Sequence, residues 1–269
     1  MNARPESFCA AKLALVAAFG CFCLGASADI FDGFDAGNDD AWTHYEPLAA
    51  FGAPGTYTFP NGAYRIQASP SPDPATLGPG RAGSLRPDLN IAGNFLDSID
   101  ILNWDNSQNQ SFGVLGRISN PGLGTTTGYA FTYSTGGLLA ISRINNDHLA
   151  VLGSKPILLD PAKGYHLEFF GTGIGLGGEL FELLPGGGRQ GLTSIGVIES
   201  TYDRGVTGLE VFSNAGSGTA DATFDNYIAF SFIPEPSTWS LMALGLGTFF
   251  FVAFRRHKAR SPSRRVHNL

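Results

Sequence analysis

The sequence predicts an all-β domain, a sandwich or barrel of antiparallel strands, framed by an apolar segment at each end. Three observations carry this. Segments of β-type composition recur between residues 29 and 233, clusters of Gly, Pro and Asn separate them, and no stretch there sustains a 3.6-residue apolar period with helix caps. Roughly two hundred residues suit one all-β domain with a sizeable core.

The chain opens with Arg4 and Lys12 around a short start, an apolar run from Leu13 to Leu24, and the small-residue box Ala26-Ser27-Ala28. This order reads as a secretory signal peptide over residues 1–28, cut after Ala26 and Ala28 so that the mature chain begins near Asp29. A lipoprotein box at Cys21 is spoiled by the bulky Phe19. Cys9, Cys21 and Cys23 are the only cysteines and all precede the cut. The mature domain then has no thiol nucleophile, disulfide framework or cysteine-based metal site.

Strand-type segments follow in order: 63–67, 112–118, 129–133, 139–144, 165–170, 208–212 and 224–230. Pro60-Asn61-Gly62, Asn120-Pro121-Gly122, Thr135-Gly136-Gly137, Asn145-Asn146-Asp147 and Pro185-Gly186-Gly187-Gly188 carry turn chemistry between them. Ser69 to Gly80, rich in Pro and Gly, reads as a long surface loop. No repeat of twenty to fifty residues is present. Gly171 to Gly178 has a phosphate-loop flavour but lacks the Gly-Lys-Ser/Thr ending and a following helix, so it reads as a turn between strands. Its period-two glycines also leave one sheet face bare, open to close approach by a ligand or backbone.

The formal net charge is −6. Setting aside Arg4, Glu6, Lys12 and the six basic residues after Phe254 leaves nine basic against 22 acidic residues over 29–254, a net of −13. Such a surface repels nucleic acid and anionic lipid.

Candidate chemistry is sparse. Asp32, Asp35, Asn38, Asp39 and Asp40 offer hard oxygen ligands near the mature N-terminus, a candidate Ca²⁺ site to which Asp225 or Asn226 would add a ligand if the end strands pair. Their spacing is not that of a twelve-residue calcium loop, and solvated turn formers explain the same residues. Otherwise no cofactor is expected. Glu179 and Glu182, three apart, point to opposite faces of a strand, poor geometry for a shared glycoside. His44, His148 and His166 form no His-x-x-x-His pair, and no hydroxyl lies in a Gly-x-Ser-x-Gly elbow. Trp42, Tyr45, Trp104 and Tyr202 are candidate sugar platforms. Trp104 with Asn106 and Gln108 in Trp104-Asp105-Asn106-Ser107-Gln108-Asn109-Gln110 is the best of them, although a packed Trp beside a polar loop is the plainer reading of the same residues.

The C-terminus reads Pro234-Glu235-Pro236-Ser237-Thr238, an apolar run from Trp239 to Phe254, then Arg255, Arg256, Lys258 and Arg260. Sixteen apolar-run residues make roughly 24 Å of helix, short of a hydrocarbon core of about 30 Å, a gap that Thr238, snorkelling arginines and local thinning close. A transmembrane helix over 238–254 is expected, with the stop-transfer arginines and the basic tail 261–269 on the cytoplasmic side. The order of box, helix and arginine cluster over 234–260 resembles the PEP-CTERM sorting domain of Gram-negative bacteria, also named the ice-binding protein C-terminal domain. That resemblance implies export through the inner membrane, a transient single-pass anchor, processing by an exosortase near Pro234-Glu235-Pro236-Ser237, and a final place at the cell surface or in an exopolysaccharide matrix.

A second resemblance covers residues 29–233. Phe31-Asp32-Gly33-Phe34 with Trp42, the segment 112–117, Gly128-Tyr129, Tyr165-His166-Leu167 and Thr223-Phe224-Asp225-Asn226-Tyr227 resemble a concanavalin-like or laminin-G-like jelly roll. The resemblance implies that first and last strands pair, bringing Asp32 near Asp225. Glucanases of that fold carry a Glu-x-Asp-x-Glu strand, absent here. The expectation is a non-enzymatic exported protein that binds extracellular polysaccharide or serves structurally. An extracellular polysaccharide hydrolase is the alternative.

Overall fold

The computed structural model describes residues 28–216 and 218–232. The body they form is one compact unit. The signal segment through Ser27, the sorting box Pro234–Ser237, the expected span 238–254 and the basic tail lie outside the described residues. Among the described residues no helix is long and apolar enough to cross a membrane.

The first half of the body comprises β1 (Ala28–Asp32), β2 (Thr43–Tyr45), β3 (Gly55–Thr58), β4 (Tyr64–Ala68), β5 (Arg81–Ala92), β6 (Asn94–Trp104) and β7 (Gln110–Ser119). The second half comprises β8 (Thr127–Ser134), β9 (Leu138–Asn145), β10 (His148–Pro156), β11 (Tyr165–Thr172), β12 (Gly175–Leu183), β13 (Arg189–Ile198), β14 (Arg204–Ser213) and β15 (Ala220–Phe232). A single helical turn, α1 (Pro74–Leu77), interrupts the long 69–80 loop, with Asp73 accepting from the Thr76 amide as its cap.

Two antiparallel sheets make a sandwich. One runs β13-β12-β11-β6-β15-β4-β3, with β1 also on β15; the other runs β10-β9-β8-β7-β14-β5-β2. The end strands pair as expected, Asp32 lying opposite Tyr227. Six of the seven strand-type segments fall wholly within strands and the seventh does so from Tyr64 on, with Ala63 just before β4; the turn clusters fall between strands, Asn145 closing β9. At Asn145-Asn146-Asp147, φ of 51° and 65° at the last two residues gives the tight hairpin geometry between β9 and β10.

The Gly171–Gly178 run is corrected in part. The hairpin is Gly173-Ile174, closed by Thr172 opposite Gly175; Gly171 and Thr172 end strand β11, and Gly175–Gly178 open strand β12. Two glycines there make room for rings on opposite faces. A Cβ on Gly177 would overlap the Phe170 ring, and one on Gly178 would come 2.5 Å from Phe131. The bare strand is thus already dressed, by Phe170 outside and Phe131 inside.

Between the sheets lies an aromatic core. Phe34, Trp42, Tyr64 and Tyr227 pack at the N-terminal side, Trp104, Phe112, Tyr133 and Tyr165 at one end, and Phe95, Phe131 and Phe169 at the other. Each such ring removes a large apolar area from water. A smaller cluster of Tyr45, Leu85, Leu115, Ile118, Ala130 and Ile144 is separate from this core.

Candidate functional site

Alternation along the strands sends Tyr165, Leu167, Phe169, Leu176 and Leu180 into the core, and His166, Glu168, Phe170, Gly177 and Glu179 to the outer face of the larger sheet. At the β11–β13 end this face carries a trough lined by Phe170, Thr172, Gly175, Gly177, Glu179, Ser194 and Gly196, with Ile198 at its rim. Phe170 is half-buried, its ring lying over Gly177. Glu179 and Ser194 face each other across β12 and β13. Neither side chain has a hydrogen bond or ion pair among the described residues. An aromatic ring on a glycine floor, flanked by an uncommitted carboxylate and hydroxyl, suits a ligand with an apolar face and hydroxyl edges.

The centre of the same face holds a polar knot. Asp100 Oδ1 is 2.5 Å from His166 Nδ1, and its Oδ2 accepts from Asn226 Nδ2 at 2.9 Å. His166 Nε2 meets Arg189 Nη1 at 2.9 Å and Glu168 Oε1 at 3.2 Å. His166 is fully buried. The knot satisfies itself and ties β6, β11, β13 and β15 together.

A second, polar hollow lies at the far end, lined by Thr56, Arg65, Gln67, Ser69, Asp105, Thr219 and Asp221. Arg65 pairs with the buried Asp221, whose other oxygen accepts from the Asp105 amide at 3.0 Å. The hydrogen bonds from Ser107 hold the Asp105 carboxyl below its usual range.

The residues singled out in the sequence fare unevenly. Trp104 is only 4% exposed and packs against Phe112, Tyr133 and Tyr165. Its faces are not available to a sugar, so the platform reading is corrected: Trp104 is a core residue, and its Nε1 donates to Asn106 at 3.2 Å. Gln108 bonds to Asp105 at 3.4 Å, so the loop borders the hollow through Asp105. Trp42 and Tyr45 are buried too. Phe170 is the half-buried, outward-facing aromatic that the sequence reading missed; the glycine run beside it is the signal.

The acidic residues of the calcium expectation stand in separate environments. Asp32 accepts from the Phe34 amide at 2.9 Å and Trp42 Nε1 at 2.8 Å, and faces Arg86 at 3.6 Å. Asp39 is held by His44 and Tyr64. Burial raises the Asp225 carboxyl above its usual range, and the charges of Asp100 and Asp35 add to this, so Asp35 and Asp225 do come near each other. Among the described residues, however, no three His, Cys, Asp or Glu side chains form a metal-holding group.

On the other sheet, Glu210 of β14 lies between Gly83 and Gly113. It is 6% exposed, and its Oε1 has no partner among the described residues. Burial pushes its carboxyl up to about 7; Arg81 pulls it down and Asp147 pushes it up. Asp147 itself accepts from Arg81 Nη2 at 2.9 Å, Tyr45 Oη at 3.1 Å and the Gly124 amide at 2.5 Å.

Comparison with solved structures places the body in the concanavalin-like jelly-roll fold. It is similar to a carbohydrate-binding module, CBM66, from Bacillus subtilis (16% identity, TM-score 0.51, 72% of this chain and 98% of that one). A basic winged bean lectin in complex with Tn-antigen matches at 9% identity and TM-score 0.51, over 76% and 98% of the two chains. A prokaryotic β-1,3-1,4-glucanase derived from a mouse hindgut metagenome matches at 11% identity and TM-score 0.51, over 77% and 100%. No curated protein matches the sequence. Residues 232–256 match the PEP-CTERM protein-sorting motif, so this body is joined to a C-terminal sorting signal.

Proposed function

We propose that the protein is an exported, non-catalytic glycan-binding module, delivered by its C-terminal motif and processed there by an exosortase-type enzyme. Its place after processing is the cell surface or the extracellular polysaccharide matrix. The observation that carries the reading is the Phe170 ring on the Gly177 floor, with Glu179 and Ser194 uncommitted beside it. Sugar rings stack on aromatic faces, and carboxylates accept their hydroxyls. The sorting motif supports the destination, and the fold it shares with a carbohydrate-binding module and a lectin supports the ligand class. The test is retention of the intact, detergent-purified chain on immobilised xylan, mannan, galactan, β-glucan, alginate and hyaluronate. Wild type is retained on at least one, and Phe170→Ala or Glu179→Gln is not, with thermal stability unchanged. No retention on any polymer overturns the reading.

A second reading, an extracellular polysaccharide hydrolase, draws on Glu210, a buried carboxyl raised to about 7 beside Asp147. Release of reducing ends from any of these polymers, lost in Glu210→Gln, would establish it.

A further inference from the structure

Hydrogen-bond satisfaction is uneven across the outer face of the larger sheet. At one end Glu179 and Ser194 have no partners among the described residues, and at the other Thr56, Gln67 and Thr219 have none. Between them Asp100, His166, Arg189 and Asn226 are bonded to one another. Side chains that bond no other protein group thus lie at two ends of one face, with a self-bonded centre between.

Both ends belong to the same surface by register. Asp221 lies opposite Gln67, and Gln67 opposite Thr56. Phe170 lies opposite Leu96 on β6, near the other end of that strand from Trp104, which lies opposite Ala222. Three strand spacings of ~4.8 Å and eight or so residues of ~3.4 Å separate the two contacts by roughly 30 Å, a span of several sugar units. No disaccharide reaches both.

The charge between them selects further. Asp100, Glu168 and Asp225 stand there against Arg189, Glu179 adds a carboxylate in the trough itself, and Arg65 at the far hollow is already paired with Asp221. A uronate or sulfate polymer laid along this face would meet like charge without a spare guanidinium to answer it.

We propose, resting on the glycan-binding reading, that the ligand is an uncharged polysaccharide gripped at two separated points, the Phe170 trough and the Gln67–Thr56 hollow, with the chain interior crossing the knot. Binding is therefore length-dependent. Tethering by the first contact presents the second at a high effective concentration, so avidity exceeds either contact alone by about 10²-fold or more.

The test compares wild type, Phe170→Ala and the double variant Thr56→Val/Gln67→Leu as intact chains. The probes are the polymer retained in the panel above and its size ladder from partial acid hydrolysis. The expected result is that Thr56→Val/Gln67→Leu weakens binding to the polymer at least tenfold and leaves disaccharide binding unchanged, whereas Phe170→Ala weakens both. Affinity rises steeply once fragments span both contacts. Equal affinity of wild type for disaccharide and polymer, or full polymer affinity in the hollow variant, overturns the two-point grip while leaving glycan binding intact. Preferential retention on alginate or hyaluronate overturns the charge selection. Failure of wild type to retain any polymer overturns the parent reading, and this one with it.

Discussion

Asp100 and His166 face each other across β6 and β11 with 2.5 Å between Oδ1 and Nδ1, on the outer face of a sheet yet almost sealed from water. Asn226, whose φ of 52° marks the bulge in β15, completes the carboxylate's bonding. The pair therefore pins an irregular strand to the sheet. Removing one partner leaves the other buried and unpaired. His166→Ala is expected to destabilise the body by about 3 kcal/mol, read as a shift of the urea midpoint, and Asn226→Ala by about 1 kcal/mol. Equal stability of His166→Ala and wild type would show the knot to be energetically idle.

Asp97 faces the core with both carboxyl oxygens buried and unpartnered. Burial raises it well above the usual carboxylate range, against the pull of the nearby Thr207 hydroxyl and of the Arg117 charge. The folded state then holds a proton that the unfolded chain has already released at neutral pH. Stability from this group is present below the unfolded value near 4 and falls as pH rises above it. Asp97→Asn keeps the shape without the ionisable proton. It is expected to flatten the decline of thermal midpoint between pH 5 and 8 and to raise the midpoint at pH 8.

Legibility divides along physical lines. The turns were plain, because Asn-Gly, Pro-Gly and Asn-Asp pairs have few other uses, and the end-strand pairing followed from the resemblance at Phe31–Phe34 and Thr223–Tyr227. Strand β5 is not legible in the sequence, since Arg81-Ala82-Gly83-Ser84-Leu85-Arg86-Pro87 has neither alternation nor β-branched residues; its pairing with β14 and β2 makes it a strand. The site was legible only in outline. A Trp beside six polar residues looks the same whether its ring points in or out, and Trp104 points in. The glycine run signals a bare face, but that Phe170 covers it depends on Gly177 one strand away, a relation that the β11–β12 register reveals.

Trp104 carries its own expectation. Its ring contacts Phe112, Tyr133 and Tyr165 in the core. Trp104→Ala is expected to cost about 3–5 kcal/mol through the cavity it leaves, whereas Asn106→Ala changes stability by less than about 1 kcal/mol. Any loss of ligand retention in Trp104→Ala would follow the loss of folded protein measured by circular dichroism. A stable Trp104→Ala variant that still failed to bind glycan would restore the ring to the binding surface.

Glu210 behaves like Asp97 but in a different window. Its folded value of about 7 exceeds the ordinary 4.5, so the folded state keeps the proton between those pH values and stability falls as pH climbs through them. The shift corresponds to about 3 kcal/mol by the usual conversion per pKa unit. Above pH 7 the ionised carboxylate adds repulsion against Asp147 and competes for Arg81, the cation that ties Asp147 to β5. Amide exchange at Gly124 and Asp147 is expected to accelerate beyond its intrinsic pH dependence above pH 7 in wild type and not in Glu210→Gln. Matching pH profiles in the two proteins would remove Glu210 from this role.

The adjacent glycines of β12 separate stability from binding. Gly178 faces the core, where a Cβ would stand 2.5 Å from the Phe131 ring, which is itself packed against Phe169. Overpacking there has no outlet, so Gly178→Val is expected to destabilise by about 1–3 kcal/mol. Gly177 faces outward beneath Phe170, whose ring has solvent on its far side and can swing away. Gly177→Val should therefore cost little stability, since a β-branched residue suits a strand, while it lifts the ring from the trough floor and abolishes glycan retention. Thermal melts and polymer retention measured on both variants separate the effects. If Gly177→Val retained polymer like wild type, the Phe170 platform would be excluded as the contact, because the added side chain fills the space under the ring.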